Sequence, residues 1–247
     1  MNIVIHGASG NMGRMLRSMI DASESHTVAA AAAIDFPENC THPEYRNLDD
    51  YTGECDCLID FSHHTAVGTV LDYAVKRNIP LVLATTGHTP EELELVKKAA
   101  EKTAVFQSAN MSVGVALLIN LARQTAKLFP DADIEIVESH HNMKYDVPSG
   151  TALMLAKGIK EARPEAEFVI GRHENGKRRK EEIGIHSLRI GGVVGMHEVH
   201  VSTGAQTITL RHEAHSRALF AEGAIAAAEF IAGKAPGVYG MTEMLAE

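Results

Sequence analysis

The chain of 247 residues is 45% hydrophobic and 22% charged, the balance of a soluble globular protein with enough apolar material for one large or two modest cores. Its 32 acidic against 23 basic residues leave a formal net charge of -9, which argues against a nucleic-acid or membrane-surface protein and makes any anion site local. No basic leader, long apolar stretch or cleavage site follows Met1, so neither export signal nor membrane span is expected and the cytoplasm is the default compartment.

Asn2 to His6 reads as a buried strand, followed by G-A-S-G-N-M-G at Gly7 to Gly13 and a helix with apolar residues at Met15, Leu16, Met19 and Ile20. In this strand-turn-helix setting Gly7 permits the tight turn, Gly10 lets the backbone approach a pyrophosphate, and Gly13 lets the helix pack on the strand. The next strand, Thr27 to Ile34, delivers Asp35 about 20 residues after the loop, where a carboxylate accepts hydrogen bonds from an adenosine ribose. Phe36 follows where an enzyme committed to NADPH often carries arginine, which leans the reading towards NADH, although Arg14 offers a charge nearby.

Cys40, Cys55 and Cys57 lack the paired spacing of a zinc site and read as buried or free thiols. Further strands at Asp56 to Phe61, Ile79 to Leu83 and Ala104 to Gln107 alternate with helices at Thr65 to Arg77 and Glu91 to Lys102. That alternation implies a Rossmann-like, doubly wound parallel sheet with ligands at the carboxyl ends of its strands. Thr85 and Thr86 lie at one such end. Asn110, in the loop before a long apolar helix from about Val113 to Phe129, is a candidate partner for a nicotinamide amide.

An apolar run, Ile134, Ile136 and Val137, enters E-S-H-H-N-M-K-Y-D-V-P-S-G-T-A at Glu138 to Ala152, and a helix from Ala152 to Ile159 leaves it. Here His140, His141, Lys144 and Asp146 precede a helix start at which Pro148 suits the first turn and Ser149, Gly150 and Thr151 present backbone amides. A helix end of this kind seats a carboxylate or phosphate, and the imidazoles and ammonium add exchangeable protons. A solvated loop before an ordinary helix start is the plainer explanation of a lone His-His pair; the strand and helix on either side favour an active-site strip.

Arg172 to Glu182 is a mixed charge run expected to be a mobile solvated loop. Strands are expected at Ile183 to Ile190, Glu198 to Ser202 and Gln206 to His212, giving a second, α+β domain with an open mixed sheet that offers an oligomer surface. The last helix, Ser216 to Ala232, with Phe220, Ile225 and Phe230 on its apolar side, is placed back on the first domain. The expected division is 1–111 and 216–247 for dinucleotide binding and 112–215 for substrate binding and oligomerisation, with closure about a hinge at Ser108 to Val113. No metal is expected, since the fourteen histidines show no His-x-x-x-His pairing beside an acidic helix.

Along its whole length the chain resembles the 4-hydroxy-tetrahydrodipicolinate reductase family of diaminopimelate and lysine biosynthesis. The resemblance is carried by E-S-H-H-N-M-K-Y-D-V-P-S-G-T-A, which is similar to the family signature E-x-H-H-x-x-K-x-D-x-P-S-G-T-A. G-A-S-G-N-M-G-R, A-T-T-G, S-A-N-M-S-V-G and R-I-G-G-V-V-G-M-H support it. It implies reduction of the cyclic 4-hydroxy-tetrahydrodipicolinate to tetrahydrodipicolinate by NADH or NADPH with loss of water, in a cytoplasmic homotetramer. By position it makes His140 a proton donor or acceptor and Lys144 a second donor, with His141, Gly150 and Thr151 binding substrate. Cofactor contacts fall on Gly7, Ala8, Ser9, Gly10, Asn11, Met12, Asp35, Ala84, Thr85, Thr86, Ser108, Ala109, Asn110 and Met111. Two positions depart from the family pattern: Ala84 replaces the first glycine of G-T-T-G, and Gly192 replaces an aspartate before V-V-G. The residues themselves leave other classes open: another NAD(P)-dependent oxidoreductase of a small anion, a non-catalytic NADH-binding redox sensor, or, last, a metal-dependent hydrolase.

Overall fold

A computed structural model describes residues 1–36 and 41–246, so Cys40 lies outside the described residues. It divides into one unit of Met1–Ser112 with Ala218–Glu247 and another of Val113–Arg217.

In the first unit strands alternate with helices: β1 (Asn2–His6), α1 (Asn11–Asp21), β2 (Thr27–Ala32), β3 (Glu44–Tyr45), β4 (Cys57–Asp60), α2 (Val67–Arg77), β5 (Leu81–Leu83), α3 (Pro90–Ala100) and β6 (Ala104–Gln107). After the second unit the chain adds α6 (Ala218–Ile231), β12 (Gly237–Tyr239) and α7 (Met241–Met244). The sheet order is β12-β6-β5-β4-β1-β2-β3, with every pairing parallel. Because successive side chains of a strand face opposite ways, Ile3 and Ile5 join one core with Leu16 and Ile20 of α1 and the alanines of α6, while Val4 joins the other with Val70 and Leu71 of α2 and Val96 of α3. The sheet is thereby covered on both faces.

One expectation is corrected here and another refined. The second strand ends at Ala32, and Ile34 is exposed, because the Ala32 carbonyl is taken by the amides of Gly7 and Ala8 at 2.9 and 3.1 Å and β3 is only two residues long. The buried side of α6 is Ala221, Gly223, Ala224, Ala227, Ala228 and Ile231, with Phe220, Ile225 and Phe230 only partly buried around it. Close approach dictates that choice: a Cβ on Gly223 would stand 1.7 Å from the Met111 carbonyl oxygen. The short β3, β12 and α7 carry too few residues for a period to be legible.

The second unit runs α4 (Val113–Leu128), β7 (Asp133–His140), α5 (Gly150–Ala162), β8 (Glu167–Ile170), β9 (Glu182–Arg189), β10 (Gly195–Ser202) and β11 (Thr207–Ala214). Its sheet order is β11-β10-β7-β9-β8; β7, β8 and β9 are parallel to one another, and β10 is antiparallel to both its neighbours. Ile134 and Ile136 of β7, Ile183 and Ile185 of β9, and Val199 and Val201 of β10 pack with Leu118 of α4 and Leu155 and Ile159 of α5. The charge run before β9 is not merely solvated. Arg172 and Arg179 bond Glu182 at 2.8 and 3.1 Å, and Arg178 donates to the Ile134 and Glu182 carbonyls at 3.2 and 2.6 Å, so a loop of arginines is drawn onto carboxylates and carbonyls along the strands.

Gly223→Ala is expected to lower stability by about 1–3 kcal/mol through overpacking against Met111, measured as a lower urea midpoint at unchanged slope. A variant that melts with the wild type would refute the close approach.

Candidate active site

Alternation along β7 sets the candidate strip. Ile134, Ile136, Glu138 and His140 share one face; the first pair is apolar core, and the second continues the same face as a polar patch. The strand register completes it. Ser187 of β9 and His197 of β10 flank Glu138, and Arg189 of β9 flanks His140.

Glu138 is wholly buried and is met from three directions. His140 Nδ1 lies 2.5 Å from Oε2, Arg189 donates from both terminal nitrogens at 2.9 Å each, and the Ser149 amide donates to Oε1 at 3.2 Å. Burial opposes ionisation of this carboxyl, but the hydrogen bonds from His140 and Arg189 outweigh it and hold the group far below the usual carboxylate range. Ser149 also caps α5, its hydroxyl accepting from the Ala152 amide at 3.2 Å, and it shares a 3.1 Å hydrogen bond with His197 Nε2. The helix start at Gly150 and Thr151 is therefore tied through Ser149 to the end of β7.

The intervening loop is pinned by the turn after β9. Ile190 donates to the His140 carbonyl at 2.8 Å and Asn142 to the Gly191 carbonyl at 3.1 Å. Lys144, mostly covered, pairs with Asp146 at 2.9 Å, and Arg189 holds the Asp146 carbonyl at 2.7 Å. That pairing with Lys144 lowers the Asp146 carboxyl. His141 is half-buried beside His140. The His140 and His197 rings stand edge to face with centroids 5.1 Å apart. Burial first, and the neighbouring His140 second, push the His197 imidazole down to about 3. A buried neutral histidine thus backs the strip.

In the first unit the glycine loop has the shape its sequence suggested. Gly7 sits at φ +78°, a Cβ there would lie 2.6 Å from the Phe61 carbonyl, and one on Gly13 would lie 2.3 Å from the Gly7 oxygen. Gly10 is the N-cap of α1 and supplies no side-chain cap, so the helix end above Asn11 and Met12 is shaped for an anion. Asp35 accepts from Ser9 Oγ at 3.3 Å, which ties the acidic residue to the loop next to Ala8. A cavity of about 320 Å³ is lined by Met12, Ala84, Thr85, Thr86, Ala109, Asn110 and Met111, together with Phe61, Ser62 and Phe220. Ser108 shapes the last of these loops, its hydroxyl donating to the Asn110 carbonyl at 2.7 Å. Buried Asp60 anchors the floor, accepting from Thr85 Oγ1 at 2.5 Å and the Ser62 amide at 3.2 Å, with His6 Nδ1 at 2.7 Å.

Glu138, Arg189 and His197 in the strip, and His6, Asp60, Phe61, Ser62 and Phe220 around the cavity, carry no site role in the sequence reading. Period-2 spacing from His140 was a legible signal for Glu138; Arg189 and His197 open and close the R-I-G-G-V-V-G-M-H motif, but nothing in their spacing shows that strands 40 or more residues away bring them to Glu138. Cys55 and Cys57 are free thiols that burial holds well above the usual thiol range, Cys55 at about 11. Among the described residues no cluster of His, Cys, Asp and Glu is arranged to hold a metal, and no helix is long and apolar enough to cross a membrane.

Family models described as "Dihydrodipicolinate reductase, N-terminus" and "Dihydrodipicolinate reductase, C-terminus" match residues 1–111 and 114–245. The 4-hydroxy-tetrahydrodipicolinate reductase of Caldanaerobacter subterraneus subsp. tengcongensis is 43% identical over 98% of this chain and 97% of its own length. The enzyme of that name from Clostridium tetani is 39% identical over 98% and 96%. Among solved structures, the dipicolinate-bound dihydrodipicolinate reductase from Paenisporosarcina sp. TG-14 superposes with a TM-score of 0.84 at 26% identity over 98% of each chain. A diaminopimelate dehydrogenase from C. glutamicum, 13% identical with a TM-score of 0.62, shares the fold.

The depressed His197 imidazole has a stability consequence. Unfolded, the ring binds a proton below about 6.5; folded, it does so only near 3, so stability falls as pH drops through that window. Between pH 7 and pH 5 this group alone should remove about 2 kcal/mol. His197→Asn should be less stable at pH 7 yet lose less on acidification, read from urea midpoints at the two pH values; equal acid losses in both proteins would refute the assignment.

Proposed function

The chain belongs to the dihydrodipicolinate reductase family, and we propose that the Glu138 to Ala152 strip and the glycine-loop cavity are its substrate and cofactor sites. The activity is the NAD(P)H-dependent reduction of 4-hydroxy-tetrahydrodipicolinate to tetrahydrodipicolinate with loss of water. The observation that carries the assignment of the strip is the His140 imidazole held on a buried carboxylate beside a capped helix start.

The bound nicotinamide supplies the hydride. Everything else falls to side chains. Hydride arriving on an unsaturated cyclic imine places electron density on the ring, and an acid must quench it with a proton. In this reading His140 and Lys144 do so. His140 stands at the end of a rigid strand, while Lys144, held by Asp146, is a flexible ammonium that exchanges that partner for substrate. His141 and the α5 start at Gly150 and Thr151 neutralise the two carboxylates; the dipicolinate bound in the Paenisporosarcina relative is likewise a dicarboxylate. The first-turn backbone of α1 and Gly7 to Met12 would hold the pyrophosphate, Asp35 the ribose, and Ala84 to Thr86 with Ser108 to Met111 the nicotinamide end.

Asp35 favours NADH, because a carboxylate tied to Ser9 repels a 2'-phosphate and Arg14 is already engaged with Asn11 at 2.8 Å. A homotetramer built on the sheet of the second unit, working in the cytoplasm, completes the reading; β11, at the edge of that sheet, alternates exposed and half-exposed residues along its length.

With substrate generated in place from pyruvate and aspartate semialdehyde, nucleotide oxidation at 340 nm should fall at least about 100-fold in His140→Ala/Lys144→Ala while NADH affinity is kept. Full turnover in the double variant would overturn the assignment of the strip. In the same assay kcat/KM for NADH should exceed that for NADPH; a several-fold preference for NADPH would remove the role given to Asp35.

A further inference from the structure

Resting on the reading of His140 as a proton-exchanging group, we propose that Glu138 and Arg189 are its positioning pair. Glu138 selects Nε2 as the working nitrogen, and Arg189 keeps the carboxylate from retaining the proton.

Selection follows from hydrogen-bond valence. An ionised carboxylate only accepts, so the 2.5 Å contact requires the proton on His140 Nδ1 and leaves Nε2 as the atom whose proton comes and goes. The opposite edge of the ring agrees: residue 195, next in the same row of the sheet, is glycine, and a Cβ there would stand 3.1 Å from Nε2 and 3.5 Å from Cδ2. The Nδ1 edge is thus occupied by a fixed acceptor and the Nε2 edge is kept clear of side chain.

Arg189 acts on the charge. A carboxylate facing His140 alone would bind the imidazolium as a neutral pair and make donation costly. Arg189 closes a bidentate fork on the same carboxylate at 2.9 Å per arm, so the Glu138–Arg189 unit is neutral before His140 takes up a proton. The remaining charged or titratable groups facing this patch are His197 from β10, with His212 of β11 behind it, and Lys144 with Asp146 from the loop. With Glu138 and Arg189 cancelling each other, a protonated His140 carries an uncompensated positive charge in a buried place, which favours release of its proton to substrate. Arg189 also holds the Asp146 carbonyl, so one guanidinium sets the Glu138 carboxylate and the backbone of the Lys144 loop together.

The pair makes opposite predictions for its two members, which a merely structural role does not. In the pH profile of kcat at saturating NADH and substrate, Glu138→Gln should drop the plateau about 100-fold and move the alkaline limb to lower pH. Arg189→Gln should move that limb up by about one pH unit. Glu138→Asp should restore part of the plateau, and NADH affinity should stay within twofold throughout. Independently of turnover, nitrogen-15 NMR of the histidine-labelled wild type should show the neutral His140 ring as the Nδ1–H tautomer, its signals identified by their loss in His140→Ala. An Nε2–H tautomer in the wild type, or limbs that stay still or move the same way in both variants, would overturn the pair. Wild-type kcat in His140→Ala would instead remove the underlying reading of His140, whereas an inactive His140→Ala with unmoved limbs removes the positioning pair alone.

Discussion

A carboxylate buried to zero exposure must have its lone pairs met or surrender its charge, and at Glu138 three parts of the chain meet them. His140 comes from the same strand, Arg189 from the parallel neighbour, and the Ser149 amide from the head of α5. Each contact positions something beyond itself: the imidazole, the loop carbonyl of Asp146, and the helix start at Gly150 and Thr151. Removing the carboxylate would leave a guanidinium, an imidazole and an amide looking for partners in a nearly dry place. Those shared contacts tie a strip that is mostly loop to β7, β9 and the head of α5.

The first unit solves a different problem with less charge. Its cavity is built where parallel strands end, and the decisive contacts are steric: glycine at 7 and 13 lets loop, strand and helix approach to distances that any Cβ would forbid. Polar organisation centres on buried Asp60, which gathers Thr85, Ser62 and His6 from three strand ends, with smaller contacts at Ser9–Asp35 and Ser108–Asn110. A helix end without a side-chain cap sits beside a mostly apolar pocket. The strip of the second unit, by contrast, concentrates imidazole, ammonium and guanidinium, so a protein that is acidic overall gathers basic side chains in one short stretch.

Local patterns determined much of this from the sequence. The glycine spacing, the period-2 strands, Ser149 at a helix start, and the order of strands and helices all act over a few residues, so the parallel fold, the glycine turn and the strand-loop-helix course of residues 138–152 were readable before any coordinates, whereas Pro148, expected in the first helical turn, instead precedes the Ser149 cap. The family resemblance then attached an activity to them. What tertiary structure alone decided is everything that joins strands distant in sequence. Arg189 meets Glu138 across 51 residues, and His197 meets Ser149 across 48. Phe220, Ile225 and Phe230 do pack on the core side of α6, but the fully buried positions are alanine and glycine because the helix lies against the Met111 carbonyl, a contact no sequence pattern shows. The arginines before β9 look solvated in sequence because the groups that hold Arg178, Asp133 and the Ile134 carbonyl, lie on β7, more than 40 residues earlier. Charge pairing and close packing depend on distance in space, which sequence spacing sets only within one helix or strand; that is why the strip was legible and the groups that hold it were not.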